Sequence, residues 1–405
     1  MDLLNENERR CILNHYGASI VIEWKLEDFS NNLMGAFGEH LRLIIILDVE
    51  GVETELKLFL KCMPRNNQRK AEYIKELTFF RKEYVMLNQL FKHFQDGEGL
   101  NKWRPKLLYI REDLFVFEDA TQIGYKVLDH RCTMSYDELS AVVNTLAKFH
   151  AQSIIYEEKK SRELKITYRI WDEYSEYLTE PEKGHSWRDT GKRAVIDFLR
   201  IYSKHKTKID FMKHVEDVIS RLFSCALNLM KPSSEFRNVV IHRDLWTNNI
   251  FFKQLGNGQY HSLIVDFQTV LYCPPMHDLC SLIYFNTSRS FREANTDKII
   301  NLYYSILTEE LKSEGIDVIN IMDKKMILKS YRQSIVFGIT QAALIVPIIA
   351  MNDEMRILIF EDPDNFDKVN FISRSEEFIN VAKDDNNYRN RIIELFDEII
   401  EIFYK

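Results

Sequence analysis

Residues 240–268 bring together the side chains of this chain best suited to chemistry. In His242-Arg243-Asp244-Leu245-Trp246-Thr247-Asn248-Asn249, four residues separate Asp244 from Asn249. Val265-Asp266-Phe267-Gln268 then sets a second Asp at the end of an apolar run. Groups in this order suit phosphoryl transfer. Asp244 would take the proton from an attacking hydroxyl, while Asn249 and Asp266 would offer hard oxygen ligands to Mg²⁺ against nucleotide phosphates. His242 reads as a buried imidazole bracing the turn, not as a reacting group.

Lys61 closes the run Leu58-Phe59-Leu60-Lys61. A lysine there is ordinarily a solvated edge residue, but beside a phosphoryl-transfer centre it would reach the α- and β-phosphates. Its partner would be a glutamate of the next helix. Glu76 and Glu83 share one face of that helix, and Glu83 is the preferred candidate. A covering loop should precede the first long strand, and Leu33–His40 does so. Gly35 and Gly38 there would let backbone N–H groups approach phosphate. Glu118-Asp119-Ala120 falls where two lobes should join, so backbone at Glu118 and Ala120 would meet adenine. Asp278 follows Asp266 by only twelve residues, in Cys273-Pro274-Pro275-Met276-His277-Asp278, with no A-P-E sequence. That interval leaves no platform for a peptide substrate, and Asp278 is expected to brace the catalytic turn from a helix start.

These side chains need a sheet in front and helices behind. Leu41–Val49 and Glu55–Cys62, around Glu50-Gly51, read as a hairpin. Apolar residues at three- and four-residue intervals from Tyr73 to Leu90 predict one long helix over 69–94. Leu107–Ile110 and Leu114–Glu118 read as short strands. Beyond them the signal is helical: Ser135–Ser153 opens with a capping box of Ser135 and Glu138. Helices are expected again near 170–180, 190–203, 210–230, 277–286, 295–313, 323–346 and 373–403. Within 239–266, two strands flank the Gly256-Asn257-Gly258 turn. The expected fold class is α+β and bilobal, with an N-terminal lobe over 1–119 and a larger, mostly helical lobe over 120–405.

The 405 residues are 45% apolar and 28% charged, an ordinary globular balance with room for two lobes. A net charge of −7 gives no sequence-wide footprint for nucleic acid. Six scattered cysteines without a CxxC pair read as reduced thiols. The acidic, polar N-terminus has no signal-like apolar run, so a cytoplasmic protein is expected. Ser334–Met351 approaches the length of a membrane span but carries Thr340, Gln341 and Pro347. A buried core helix bent near Pro347 is expected there instead. No obligate protein partner is evident.

Several blocks resemble, in order and over nearly the whole chain, the ecdysteroid-kinase-like (CHK kinase-like) family. They are Gly38-Glu39-His40, Phe59-Leu60-Lys61, Phe80 with Glu83, Phe117-Glu118-Asp119, Leu146–Ala151, His242–Trp246 with Asn249, and Val265–Gln268 with Asp278-Leu279. The resemblance implies a protein-kinase-like fold akin to choline, ethanolamine and aminoglycoside kinases. It further implies ATP- and Mg²⁺-dependent phosphorylation of a small-molecule alcohol, steroid-like (an ecdysteroid) or xenobiotic. Carried over, Asp244 is the base, Asn249 and Asp266 are metal ligands, and Lys61 is the phosphate contact. Arg243 and Ala120 depart from the family's pattern without removing a catalytic group. A choline-, ethanolamine- or aminoglycoside-type kinase is the alternative and would need an acidic pocket. A catalytically inactive kinase-fold binding protein is another, and the presence of all four central residues weighs against it. On the acceptor side, Tyr168, Trp171, Tyr174, Tyr177 and Trp187 offer aromatic faces for a flat alcohol or a quaternary amine, or pack between helices.

Overall fold

The β-rich first lobe grows from a hairpin whose two strands are apolar on alternate sides. In the computed structural model, which describes residues 3–16, 20–29, 37–49, 51–180 and 185–403, α1 (Glu6–Leu13) leads into β1 (Ile20–Asp28). The hairpin follows as β2 (Glu39–Val49) and β3 (Val52–Cys62), each starting two or three residues before the apolar run and ending where that run predicts. After α2 (Gln68–Glu76) and α3 (Phe79–Asn88) come β4 (Leu107–Arg111) and β5 (Leu114–Glu118). The antiparallel sheet runs β1-β2-β3-β5-β4. Leu43, Ile45, Leu58, Leu60 and Val116 bury its outer face beneath α1.

One strand here was not anticipated, and one expectation needs correction. β1 carries charge at Glu23, Lys25, Glu27 and Asp28, which masks its pairing with β2. The helix expected over 69–94 is instead two helices broken at Thr78, whose φ of 57° is left-handed and rare for a β-branched residue.

The second lobe is built on α4 (Tyr136–Leu164), which starts at the Ser135–Glu138 capping box. α5 (Ile170–Tyr174), shorter than the expected 170–180, precedes α6 (His185–Tyr202) and α7 (Ile209–Asn228). Four short strands then carry the motif residues: β6 (Val239–Ile241), β7 (Ile250–Gln254), β8 (Tyr260–Ile264) and β9 (Leu271–Cys273). β7 and β8 form the hairpin around the Gly-Asn-Gly turn, whereas β6 pairs with β9. Asp244 and Asn249 therefore lie on the link from one pair to the other, and Asp266 on the link back.

The remaining helices are α8 (Met276–Asn286), α9 (Arg289–Ser313), α10 (Val318–Ile321), α11 (Lys324–Ile349), α12 (Asp353–Glu361), α13 (Pro363–Asp367), α14 (Ser375–Asp384) and α15 (Asn386–Phe403). The helix expected over 373–403 is thus two, and α12 and α13 were not anticipated. α11 is long and apolar enough to cross a membrane by length and composition, yet 72% of its most apolar window is buried in this fold. It packs on α8 so closely that a Cβ at Gly338 would lie 2.6 Å from Cys280 Cβ. Pro347 sits inside this helix, and its carbonyl accepts from Tyr388 Oη at 3.0 Å. All six cysteines are unpaired.

Candidate active site

The link Ile241–Asn249 is held from below by Asp278, at the start of α8. Its carboxylate is fully buried and accepts the backbone N–H of His242 at 2.5 Å and of Arg243 at 2.6 Å. His150, on α4, faces the same carboxylate at 3.1 Å. Arg243 is thereby fixed at φ 74°, a strained backbone that neighbouring contacts must over-determine. His242 donates from Nε2 to the Val265 carbonyl at 2.8 Å and accepts the Asp244 N–H at Nδ1, 3.3 Å away. It joins the Asp244 link to the Asp266 link, and burial holds its pKa below the usual imidazole value.

On this base stands Asp244. Asn249 Nδ2 donates to its backbone carbonyl at 2.8 Å and to Oδ2 at 3.0 Å. Burial first, and the negative charge of Asp266 second, push its pKa up to about 7; Arg243 pulls the other way. A carboxylate poised near neutrality is matched to general-base work.

Asp266 also has a left-handed backbone, φ 72°. Its Oδ1 accepts from Lys61 Nζ at 2.6 Å, and its Oδ2 accepts from Gln268 Nε2 at 3.0 Å. Lys61 reaches down from β3 and also meets Glu83 Oε2 at 2.6 Å. Glu83, on α3, completes the link by accepting the Phe267 N–H at 3.1 Å. The choice between Glu76 and Glu83 therefore falls on Glu83. Burial alone would discharge Lys61, but Asp266 and Glu83 outweigh it and hold the ammonium above its usual pKa. Next to it, burial and then the charge of Lys61 lower His40 to about 4, so that imidazole is neutral.

Two cavities meet at these residues. One, of about 780 Å³, is lined by Lys61, Glu83, Asn249 and Asp266 at one side. Phe59 and Phe117, paired across β3 and β5, form its roof, and Phe251 with Ile264 its floor. That is a flat, apolar slot ending in charge, the shape of a purine nucleotide. Glu118 and Ala120 line it too. The Glu118 side chain is engaged by Lys102 and by the Lys106 N–H at 2.7 Å, and the Ala120 carbonyl accepts the Tyr125 N–H at 3.1 Å. Gly38, at φ 99°, lies over Lys61: a Cβ there would stand 3.3 Å from its Cε. Gly35 falls outside the described residues.

The donor set suits Mg²⁺: one carboxylate and one amide oxygen, both hard, with the remaining positions left to phosphate and water. Among the described residues no cluster of three or more His, Cys, Asp or Glu side chains could hold a metal alone.

The second cavity, of about 680 Å³, has Asp244 in its wall. Phe37, Tyr73, Leu77 and Phe79 close it from the first lobe, and Trp187 and Ile345 from the second. Its polar members are Glu180, Arg188, Arg243, Gln268, Thr269 and Gln341. Glu180 accepts from Arg188 at 2.7 Å and from Arg243, and these two cations hold its pKa low despite burial. Of the five aromatic residues noted between 168 and 187, only Trp187 lines this cavity. Tyr168 and Tyr174 are buried in the helical core, Trp171 stacks on Tyr272 at 6.2 Å, and Tyr177 meets Arg81. Glu180, Gln268 and Gln341 carried no assigned role in the sequence reading, although Gln341 stands out as polar in an apolar helix.

No curated protein matches the chain. Among solved structures, an ethanolamine kinase of Plasmodium vivax is similar at 14% identity and a TM-score of 0.37, covering 96% of this chain and 86% of its own. Choline kinase LicA of Streptococcus pneumoniae follows at 12% and 0.34, covering 82% and 97%. An aminoglycoside 2'-phosphotransferase-IIIa in its GDP complex stands at 11% and 0.38, covering 98% and 99%. The ecdysteroid kinase-like family matches residues 38–316, more than half of the 405. The chain belongs to the ecdysteroid kinase-like family.

Proposed function

We infer that this protein moves the γ-phosphoryl group of ATP, with Mg²⁺, to a hydroxyl of a small, neutral and largely apolar alcohol, of the steroid-like or xenobiotic kind. The protein is a phosphotransferase with an alcohol acceptor. One observation carries the finer reading: Asp244 lines the apolar cavity, while Lys61, Asn249 and Asp266 line the adjoining slot. An alcohol in the first would present its hydroxyl to Asp244, which accepts the proton as the oxygen attacks phosphorus. Lys61, kept charged by Glu83 and Asp266, neutralises phosphate oxygens. Mg²⁺ held by Asn249 and Asp266 would neutralise the charge that develops on the transferring group.

The charge in the acceptor cavity favours a neutral substrate over a cationic one. Apart from Asp244, Glu180 is its one carboxylate among the described lining residues, and two arginines already bind it. Beyond the base itself an ammonium would find no unspent counter-charge, and it would meet Arg188 and Arg243. Peptide acceptors are disfavoured by the short path from Asp266 to the start of α8 at Met276, which β9 occupies. Six unpaired thiols support a reducing, cytoplasmic setting.

The test is to incubate the protein with ATP and Mg²⁺ against ecdysteroids, plant glycosides, choline, ethanolamine and aminoglycosides. Products heavier by one phosphoryl group are sought by mass spectrometry. Phosphorylated neutral alcohols, lost in Asp244→Asn, are expected. Reaction with choline or ethanolamine alone would overturn the acceptor assignment, and no product with any alcohol would overturn the kinase reading.

A further inference from the structure

The wall of the acceptor cavity holds an amide whose nitrogen has no partner in the chain. Gln341 lies on α11, 4% exposed, and its Nε2 has no hydrogen-bond partner. Its neighbour Thr340 spends its hydroxyl on the Val336 and Phe337 carbonyls, at 2.6 and 3.0 Å. Gln341 lines the cavity beside Tyr73, Leu77, Trp187 and Ile345, with its unpaired nitrogen buried in the wall. Arg188 Nε, also lining the cavity, is a second buried donor without a partner. On the side nearer the base, Gln268 Oε1 is a buried acceptor without a partner. Its orientation is fixed because Nε2 of the same amide donates to Asp266. Buried polar groups are nearly always paired, so unpaired donors in the wall of a cavity mark where a ligand oxygen belongs.

Gln341 and Arg188 also line a second, more polar cavity beyond, with Asp189, Lys192 and Ser224. They form the partition between the two. The polar group that they would bind therefore sits against this partition, at a different part of the wall from Asp244. Gln341 and Ile345 lie beyond residue 316, where the family match ends, so this wall is contributed by residues outside the matched span.

We propose that Gln341 is a specificity-determining residue: it donates a hydrogen bond to a second oxygen of the acceptor, a ketone or further hydroxyl carried on an apolar body. This rests on the kinase reading above and narrows its substrate to alcohols with two separated oxygen functions. An apolar alcohol lacking the second oxygen leaves Gln341 Nε2 unpaired and shielded from water in the bound complex, and is rejected for that reason. A site with such a buried donor discriminates by about 10- to 100-fold.

The experiment takes a hydroxysteroid bearing a ring ketone and the same hydroxysteroid with the ketone replaced by methylene. Both are phosphorylated with ATP and Mg²⁺ by the wild-type chain, by Gln341→Leu and by Gln341→Met. The wild type is expected to prefer the ketone by about 10- to 100-fold in kcat/KM. Both variants should lose most of that preference through a raised KM for the ketone, with kcat and the KM for ATP retained. Two substitutions guard against one misfolding, and thermal melting reports on both. Retained preference in the variants, or an equal loss on both steroids, overturns the role of Gln341 and leaves the kinase reading standing. A wild type that phosphorylates the two steroids equally also overturns it. A wild type that phosphorylates neither overturns the steroid-like acceptor class and Gln341 with it.

Discussion

Asp244→Asn should make the protein more stable and nearly inactive, and the gain in stability should depend on pH. A carboxyl that titrates near 3.9 in an unfolded chain and near 7 in this site binds its proton roughly a thousandfold more tightly when folded. The folded pKa is raised above the unfolded one, so stability is lost as pH climbs from about 4 to 7. At pH 8 that amounts to about 4 kcal/mol against the ionised native state. Asp244 keeps part of its surface in solvent, which screens the effect to about 2 kcal/mol. Asparagine resembles the protonated acid and avoids the penalty. At pH 5 the native carboxyl is protonated and less than half of the penalty remains. Urea unfolding of wild type and Asp244→Asn, without nucleotide, measures the difference directly. The variant should be about 2 kcal/mol more stable at pH 8 and less than about 1 kcal/mol more stable at pH 5. Its kcat should fall by about 10²- to 10⁴-fold, while kcat/KM of the wild type rises to a plateau through about pH 7. An equal gain at both pH values, or a variant less stable at pH 8, would refute the idea that Asp244 is held as a frustrated base.

Four further outcomes follow from the same contacts. Gly38→Ala sets a Cβ against Lys61 at a φ of 99° and should raise the KM for ATP while costing about 1 kcal/mol of stability by thermal melting. Glu83→Gln leaves Lys61 with Asp266 as its only full counter-charge, and kcat/KM for ATP should drop by about 10- to 100-fold in steady-state assays. Asp278→Ala removes the acceptor of the His242 and Arg243 N–H groups and should lower stability by about 3 kcal/mol or more in denaturant titration, with activity lost in parallel. Trp187→Ala opens the wall of the acceptor cavity and should raise the acceptor KM roughly tenfold with the ATP KM unchanged, whereas truncation at Trp171, stacked on Tyr272, should affect stability alone.

The centre of the site was legible because its residues lie close in sequence and each type has few other uses at that spacing. Asp244, Asn249 and Asp266 span one short stretch, and Lys61 is conspicuous as a charge closing an apolar strand. The bracing roles of His242 and Asp278 could be read for the same reason. The acceptor cavity was not legible, because its wall is assembled from α2, α3, α6 and α11, whose residues meet only in three dimensions. Aromatic residues between 168 and 187 looked alike in sequence, but Tyr168 and Tyr174 are buried in the helical core, Trp171 stacks on Tyr272, Tyr177 meets Arg81, and only Trp187 reaches the cavity. β1 escaped notice because an edge strand with one solvated face can carry Glu23, Lys25 and Glu27 without penalty. The placement of Gly35 lies outside the described residues, so only Gly38 of that loop can be set against Lys61.

The break at Thr78 shows why one unbroken helix over 69–94, although favoured by the apolar spacing, would not have produced this site. In a continuous α-helix, residues two apart point about 200° away from each other. Leu77 and Phe79 could not then both face the acceptor cavity, yet both line it. The left-handed turn at Thr78 re-aims the chain between them. α3 thereby starts on a new axis, stacks Phe80 on Phe115 at 5.1 Å, and delivers Glu83 to Lys61. α2 keeps its own anchorage instead: Lys70 pairs with Glu361 at 2.6 Å and Tyr73 packs edge-on against Phe366 and Phe371. One helix is thus fastened to the nucleotide-side ion pair and the other to the far lobe, with the acceptor cavity at the corner between them. A strained residue at that corner costs on the order of 1–2 kcal/mol, and its effect is to let a single segment serve both substrates.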